Sequence, residues 1–399
     1  MCGIAGYFGL NQINNEVINA TLKSMHSRGP DSANFKKYSS TNNTNIYLLH
    51  TRLSIIDLDP RSNQPMEIAH VSLIFNGEIY NYIELKKELE KLGHNFETDS
   101  DTEVIIKSYL QWGNKFTKSF EGMWALVIWD KQKEQMIFSR DKFGEKPFYY
   151  YKTKDGIYFA SQTLILEKIV GKHFRPNYNQ INRFLVNGYK SINKHGEYFL
   201  NEVKELDRAT NFIIDPDLSI KKYKTWIPEV KTIDRSIEEC IELNKEILIN
   251  SVKLRLRSDV PLAFCLSGGV DSAAIASIAA KKFNYNVHGF SIIDKDERYN
   301  ESDNIQATVD DLDCKSTKIH IGHFDIIEKL QKVISFHNAP VTTISYLIHN
   351  FLSTSISQNG YKVAFSGTAA DELFTGYYDH FNLHLAEVQS HPEFEQHLF

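Results

Sequence analysis

The hydrophobic pattern of the second half of the chain predicts strands that alternate with helices. Residues 260–266 form a short, largely apolar run, as in a buried strand, and residues 273–282 (AAIASIAAKK) favour a helix with basic residues in its last turn. A second apolar run covers residues 287–293, and a third precedes residue 366. This alternation predicts a doubly wound parallel sheet, in which ligands bind at the carboxyl ends of the strands.

The first half has a different pattern, in which short apolar runs are separated by turn-like segments. Residues 2–8 (CGIAGYF) alternate small and apolar side chains, which is typical of a buried strand. Strand-like residues 211–214 and 221–226 would close this half, and an apolar helical pattern follows before residue 260. With 399 residues the chain is long enough for two ordinary domains, which we place at residues 2–215 and 235–399.

Composition narrows the class of protein without identifying it. The chain is 42% hydrophobic and 24% charged, and its formal charge of −5 gives no reason to expect nucleic acid or a membrane as a partner. No apolar run approaches the roughly 18 residues of a transmembrane helix. The four cysteines lack CxxC spacing, which argues against a zinc site or a disulfide scaffold and favours the reducing cytoplasm. They are Cys2, Cys240, Cys265 and Cys314.

Residues 266–272 (LSGGVDS) have the features of an anion-binding loop. A strand, a glycine-rich turn and a helix N-terminus present free backbone N–H groups and a favourable helix dipole to a phosphate. Ser267 and Ser272 can donate hydroxyl hydrogen bonds, and Asp271 is a candidate Mg²⁺ ligand. The alternative is a tight turn that needs glycine only for its backbone conformation. The lysine of the P-loop pattern is absent.

Cys2 is a candidate nucleophile at the other end of the chain. If Met1 is removed, Cys2 carries both a thiol and a free α-amine, and the amine can act as the base for the thiol. The thiolate would attack a carboxamide and form an acyl-enzyme. The alternative is a cysteine that stands at the second position by accident.

Several segments in order resemble known families. Residues 266–272 resemble the pyrophosphate loop of ATP pyrophosphatases. The first half resembles class-II glutamine amidotransferase domains of the asparagine synthetase family over residues 2 to 165. The resemblance rests on Cys2 and on the segments HSRGPD (26–31), TRLSIID (51–57), LIFNGEIYN (73–81), SDTE (100–103) and RDKFGEKPFYY (140–150). It implies an α+β Ntn-hydrolase sandwich (αββα), followed by an α/β doubly wound parallel-sheet ATP pyrophosphatase domain.

The resemblance also implies a glutamine site. Arg52 would hold the α-carboxylate, and Glu78 and Asp101 would hold the α-ammonium group. The Asn76 side chain and the Gly77 N–H would form the oxyanion hole. The pocket would be completed by Leu53, Ser54, Ile55 and Ile56. Asn-Gly is also the strongest local signal for a hairpin turn, so we expect a turn at this point. Arg28 and Asp31 are expected to have structural roles in their loop.

An ATP site is implied in the second half. Cys265 and Ile292 would flank the adenine, and Asp271 and Asp371 would hold Mg²⁺. The remaining implied ATP contacts are Ser267, Gly268, Gly269, Ser272, Ser366 and Gly367. ATP and Mg²⁺ are therefore the expected cofactors.

One departure from the family concerns the acceptor. Asparagine synthetases have Ser-Gly-Glu-Gly-Ser-Asp-Glu where this chain has Thr368 at the glutamate position. The family's synthetase domain also continues further than Phe399, so we expect an incomplete domain. Three hypotheses stay open: asparagine synthesis, amidation of another carboxylate such as a sugar acid, and a chain with glutaminase activity only. The expected partners are glutamine, ATP, aspartate or another carboxylate, and a second copy in a homodimer.

Overall fold

The computed structural model describes residues 1–191, 196–229, 231, 234–294, 296–322, 324–392 and 394–397. The chain divides into two compact units. The first comprises residues 1–240, 257–259 and 324–348, and the second comprises residues 241–256, 260–323 and 349–399. The domain limits of 215 and 235 stay predictions, and the last strand of the first unit ends at Lys224.

Two six-stranded antiparallel sheets form the first unit. One sheet has the order β10-β8-β9-β1-β3-β2, and the other has the order β12-β11-β7-β6-β5-β4. The strands are β1 (Gly3–Gly9), β2 (Ser32–Ser39), β3 (Asn45–Arg52), β4 (Met66–Ile68), β5 (Val71–Ile79), β6 (Gly122–Asp130), β7 (Gln135–Arg140), β8 (Tyr149–Lys152), β9 (Gly156–Ala160), β10 (Lys204–Glu205), β11 (Thr210–Ile214) and β12 (Ile220–Lys224).

The sheets pack face to face, and helices cover their outer faces. Because side chains alternate along a strand, Phe8 of β1 enters the core between the sheets, whereas Tyr7 packs against the outer helices. Helices α1 and α4 cover the first sheet, and α2 and α3 cover the second. This arrangement confirms the predicted αββα sandwich. The helices are α1 (Asn15–Met25), α2 (Tyr82–Lys91), α3 (Asp101–Trp112), α4 (Thr163–Val170) and α5 (Tyr178–Asn187).

The second unit contains a four-stranded parallel sheet with the order β15-β14-β13-β16. This confirms the predicted α/β parallel-sheet domain, and the order reverses at β13. The strands are β13 (Leu262–Cys265), β14 (His288–Ile293), β15 (Lys315–His320) and β16 (Val363–Phe365). The helices of the C-terminal half are α6 (Ile237–Arg255), α7 (Val270–Ser277), α8 (Ser302–Leu312), α9 (Ile326–His337), α10 (Ser345–Gln358), α11 (Ala370–Phe374) and α12 (Tyr378–Glu387). Among the described residues, no helix is both long and apolar enough to cross a membrane.

The structure corrects two local details. The helix expected over residues 273–282 is present but begins earlier, at Val270, and after Ser277 it continues as a π-helical turn over residues 278–282. Asn76 and Gly77 lie inside β5, paired with β6, rather than in a hairpin turn. The glycine serves the close approach of the two strands, because a Cβ on Gly77 would lie 2.0 Å from the Met123 carbonyl oxygen.

Candidate functional site

A cavity lies beside Cys2 in the first unit. Its wall is formed by Met1, Cys2, Arg52, Leu53, Ile55, Ile56, Gln64, Phe75, Asn76, Gly77, Glu78, Ser100, Asp101, Thr102 and Lys146. This wall includes every residue that the sequence predicted for glutamine except Ser54. The Ser54 N–H donates instead to the Asp31 carboxylate (2.8 Å), so Asp31 has the structural role that was expected of it. The structure therefore brings together residues from the segment before β1, from the end of β3 and the loop after it, and from β5 and α3.

The Cys2 thiol is held by the loop that follows β3. Its Sγ donates to the Leu53 carbonyl oxygen (3.7 Å) and accepts from the Leu53 N–H (3.4 Å). The Arg28 Nε–H donates to the Cys2 carbonyl oxygen (2.9 Å) and fixes the end of β1. Burial raises the pKa of the Cys2 thiol and lowers the pKa of the Met1 amine to about 6. Near neutral pH both the Cys2 thiol and the Met1 amine are therefore uncharged.

Asn76 presents an unpartnered amide group to the same cavity. Both Asn76 Oδ1 and Asn76 Nδ2 are buried, and neither has a hydrogen-bond partner within the described residues. Leaving a buried polar group unpaired costs about 1–3 kcal/mol. Such a group at a cavity wall is typical of a site that completes its hydrogen bonds when a ligand arrives.

The backbone of Gly77 directs its N–H away from the neighbouring strand β6. Gly77 is paired with Trp124, whose N–H donates to the Asp141 carboxylate (3.1 Å) and whose carbonyl accepts from the Asp141 N–H (2.9 Å). In an antiparallel pair of strands, two opposite residues either hydrogen-bond to each other through their backbone N–H and C=O groups, or both direct these groups away from each other. Gly77 therefore presents its N–H at the other edge of β5.

Side chains occupy the two N–H groups that flank Gly77 on that edge. The Phe75 N–H donates to Gln64 Oε1 (2.6 Å), and the Ile79 N–H donates to the Asp101 carboxylate (3.0 Å). Gln64, Gly77 and Asp101 all line the cavity, so the Gly77 N–H faces it between these two bonds.

Two acidic side chains and one lysine line the cavity. Glu78 and Asp101 are buried, and burial raises the pKa of Asp101 to about 6. Lys146 is buried as well, and this burial lowers its pKa, whereas the nearby Glu78 acts in the opposite direction. Lys146 belongs to the segment RDKFGEKPFYY, but no local pattern indicates a role for it because its burial depends on the tertiary fold.

Arg52 is a rigid cation at the cavity wall. Its Nη1 donates to the Asp59 carbonyl oxygen and to Asn63 Oδ1, both at 3.0 Å. Its Nη2 donates to the carbonyl oxygens of Ile56 (3.2 Å) and Asp57. These bonds engage four of the five guanidinium donors and hold the positive charge in place beside the cavity.

The glycine-rich loop of the second unit joins β13 to α7. Gly268 has φ +79°, a left-handed conformation that favours glycine. The Ser272 hydroxyl is within hydrogen-bond distance of Ser267 Oγ (3.1 Å), accepts from the Ser267 N–H (3.1 Å) and donates to the Gly269 carbonyl oxygen (3.1 Å). These bonds make the loop a closed turn at the carboxyl end of β13.

The segment after β16 packs against this loop. A Cβ on Gly367 would lie 2.9 Å from the Ser272 nitrogen and 3.0 Å from Asp271 Cβ, so the two predicted nucleotide segments are in contact. Cys265 and Ile292 lie at the carboxyl ends of the adjacent strands β13 and β14, both half-buried. Burial raises the pKa of Cys265 to about 11, so its thiol is uncharged at neutral pH.

The turn that follows Ser366 differs from the family motif in its chemistry. The Thr368 and Ser366 hydroxyls are 2.7 Å apart, and the Thr368 N–H donates to Ser366 Oγ (3.3 Å). Ala369 has φ +80° where the motif has its second glycine. Asp371 lies in the first turn of α11, directly after this turn.

Comparison with known proteins covers both units. A glutamine amidotransferase domain family matches residues 1–224, and the asparagine synthase family matches residues 244–396. The chain is 34% identical to a glutamine-hydrolysing asparagine synthetase homologue of Methanocaldococcus jannaschii, over 96% of this chain and 76% of that protein. It is 31% identical to asparagine synthetase 1 of Bacillus subtilis, over 94% of this chain and 59% of that protein.

Among solved structures, the chain is similar to a glutamine phosphoribosylpyrophosphate amidotransferase of B. subtilis. The TM-score is 0.44 at 13% identity, and the match covers 88% of this chain and 92% of that chain. A likeness of this size carries no argument about function.

Proposed function

Because this chain belongs to the asparagine synthetase family of glutamine amidotransferases, we propose that it is a glutamine-dependent, ATP-driven amidotransferase. Cys2 would hydrolyse glutamine to glutamate and ammonia. The ammonia would attack an acyl-adenylate, which for aspartate is aspartyl-AMP, and would yield asparagine and AMP, with pyrophosphate released at adenylation. The chain spans only part of the length of the relatives that it matches, so the activity of the whole protein is part of this proposal.

The observation that carries the proposal is the placement of two hydrogen-bond donors beside the Cys2 thiol. The unpartnered Asn76 amide and the Gly77 N–H both face the cavity that Cys2 lines. Attack of a thiolate on a carboxamide forms a tetrahedral oxyanion, and two fixed donors are what such an intermediate requires.

The reaction balances with groups that the cavity holds. After removal of Met1, the α-amine of Cys2 would take the thiol proton, and the thiolate would form a bond to the carboxamide carbon. The C–N bond would break, and the amine would return the proton to the leaving ammonia. Water would then cleave the thioester to glutamate. Arg52, four of whose five donors bind its own loop, would attract the α-carboxylate of the substrate through its charge and its remaining N–H. Glu78 and Asp101 would bind the α-ammonium group.

The second unit would bind ATP at the glycine-rich loop. The backbone of residues 267–269 and the hydroxyls of Ser267, Ser272 and Ser366 suit phosphate oxygens. Asp271 and Asp371 suit Mg²⁺, which prefers a few carboxylates together with phosphate oxygens. Bound Mg²⁺ would neutralise charge on the phosphates.

Two classes of carboxylate are candidates for the substrate that accepts the ammonia. Aspartate is the acceptor that the names of the relatives suggest. Thr368 favours a different carboxylate, such as a sugar acid, because its hydroxyl is paired with Ser366 and cannot act as a carboxylate base. We also propose a cytoplasmic enzyme, since its four cysteines lack CxxC spacing and form no disulfide in the described part of the chain. The homodimer stays a prediction.

The proposal is tested by following glutamate, AMP and asparagine together. The purified chain is incubated with glutamine, ATP and Mg²⁺, and with aspartate, a sugar acid or no acceptor. Glutamate that is lost in Cys2→Ala but kept in the control Cys240→Ala supports the glutaminase. AMP and asparagine that depend on aspartate support the synthetase, whereas AMP with a sugar acid alone supports the second acceptor. Glutamate without AMP under any condition would leave a glutaminase only, and no glutamate would refute the role of Cys2.

A further inference from the structure

Residues 257–259 lie far in sequence from the glutamine cavity, yet they belong to the same compact unit. The segment follows α6 and precedes β13, inside the stretch that matches the asparagine synthase family. By its contacts it nevertheless groups with residues 1–240. The first unit therefore contains a short segment that the glutamine amidotransferase match, which ends at residue 224, does not include.

Asp259 binds the loop after β3 by two hydrogen bonds. Its backbone N–H donates to the Ile55 carbonyl oxygen (2.9 Å). Its carboxylate accepts from the Asp57 N–H (2.6 Å). The two bonds enclose Ile56, which lines the glutamine cavity.

The enclosed loop positions the groups that glutamine would meet. Leu53 contacts the Cys2 thiol through both its N–H and its carbonyl oxygen. The carbonyl oxygens of Ile56 and Asp57 accept from the guanidinium group of Arg52. A shift of residues 55–57 would therefore move the Arg52 guanidinium group directly. Because Leu53 belongs to the same loop, the shift would also move the Cys2 thiol.

Asp57 needs support from outside its own loop. Its φ of +49° is left-handed, a conformation that costs a non-glycine residue about 1–2 kcal/mol. Its carboxylate accepts from the Ser62 hydroxyl (2.8 Å) and from the Asp99 N–H (3.0 Å). The backbone N–H of Asp57 donates its hydrogen bond to the Asp259 carboxylate.

Arg257 anchors the segment on the other side. Its guanidinium forms two hydrogen bonds of 2.5 Å to the Glu84 carboxylate and a third to the Tyr80 carbonyl oxygen (2.7 Å). These hydrogen bonds are the largest cause of the lowered pKa of Glu84. A planar fork that binds a carboxylate and a backbone oxygen at once fixes its own position closely.

We propose that Asp259, anchored by Arg257, is a positioning residue for glutamine cleavage. It holds residues 55–57 in the conformation that places Arg52 and Cys2, although it does not line the cavity. The inference rests on the proposed glutaminase. The Arg52 guanidinium group forms more hydrogen bonds to this loop than the Cys2 thiol does. Loss of Asp259 would therefore weaken glutamine binding more than it slows the chemical step.

The test compares the glutaminase kinetics of full-length variants. Asp259→Ala removes the acceptor, and we expect the KM for glutamine to rise about tenfold while kcat falls less than threefold. Asp259→Asn keeps an acceptor oxygen and the backbone donor, and its KM should stay within about twofold of the wild type. The exposed Asp234→Asn is the matched control, with unchanged KM.

Arg257→Lys is the second variant, in case Asp259→Ala does not fold. Lysine keeps the charge but cannot bind Glu84 and the Tyr80 carbonyl in the same way, so we expect a KM increase of about threefold. An unchanged KM in this variant and in Asp259→Ala, or in this variant alone if Asp259→Ala does not fold, would overturn the proposal. Equal loss in Asp259→Asn and Asp259→Ala would also overturn it. A wild-type chain that releases no glutamate would instead refute the glutaminase itself.

Discussion

Asp101→Asn should stabilise the empty protein and weaken its binding of glutamine. Burial raises the pKa of the Asp101 carboxyl from 3.8 to about 6, because its charge is poorly solvated in the folded chain. Below the pKa of the unfolded chain, Asp101 is protonated in both the folded and the unfolded state, so its burial does not lower the free energy of unfolding there. As the pH rises from about 4 to about 6 the unfolded chain loses its proton first, and the folded state loses stability.

The size of the effect follows from the two pKa values. Their difference corresponds to about 3 kcal/mol of unfolding free energy above pH 6. Asparagine is neutral and keeps an acceptor oxygen for the Ile79 N–H. For a unit of this size, a gain of about 3 kcal/mol raises the Tm by about 6 °C. Loss of a charged partner for the α-ammonium group should raise the KM for glutamine about tenfold or more.

Thermal unfolding at pH 8 and at pH 4 provides the assay, with Asp234→Asn as an exposed control. We expect Asp101→Asn to raise the Tm at pH 8 and to change it little at pH 4. In the wild type, glutamine binding should weaken below about pH 6, where Asp101 takes up a proton. A Tm at pH 8 equal to or below that of the wild type would refute the reasoning, as would an unchanged KM.

Three further variants test individual backbone positions. Ala369→Gly should raise the unfolding free energy by about 1 kcal/mol, because alanine is strained at φ +80°; a lower Tm would contradict this. Gly77→Ala should abolish glutamate release and lower the Tm, because its Cβ would lie 2.0 Å from the Met123 carbonyl oxygen, whereas Gly322→Ala meets no atom within 4 Å and should be neutral. Gly268→Ala should abolish ATP binding in equilibrium dialysis and leave glutamate release intact, since φ is +79° at this glycine; undiminished ATP binding would be inconsistent with its place in the loop.

Local patterns predicted many of the elements, whereas the family resemblance implied most of the residues of the cavity wall. The alternation along residues 2–8 indicated the strand that directly follows Cys2, and the apolar runs around residues 262 and 290 indicated parallel strands. The glutamine residues were implied by the resemblance that the ordered short motifs carry, and no local pattern alone indicated them.

What the sequence could not show depends on contacts between distant segments. Asn76-Gly77 carries a strong local turn signal, yet pairing with β6 keeps it within a strand. The burial of Lys146 follows from the packing of the cavity. Asp259 reaches Asp57 across 202 residues, and no local pattern could indicate that bond.

The most direct test of the central claim is to trap the acyl-enzyme. The chain, with Met1 removed, is quenched during turnover of isotopically labelled glutamine, and its N-terminal peptide is analysed by mass spectrometry. We expect a labelled glutamyl adduct on Cys2 that is absent from Cys2→Ala, together with labelled glutamate in solution. An adduct on another residue, or glutamate release that persists in Cys2→Ala, would contradict it.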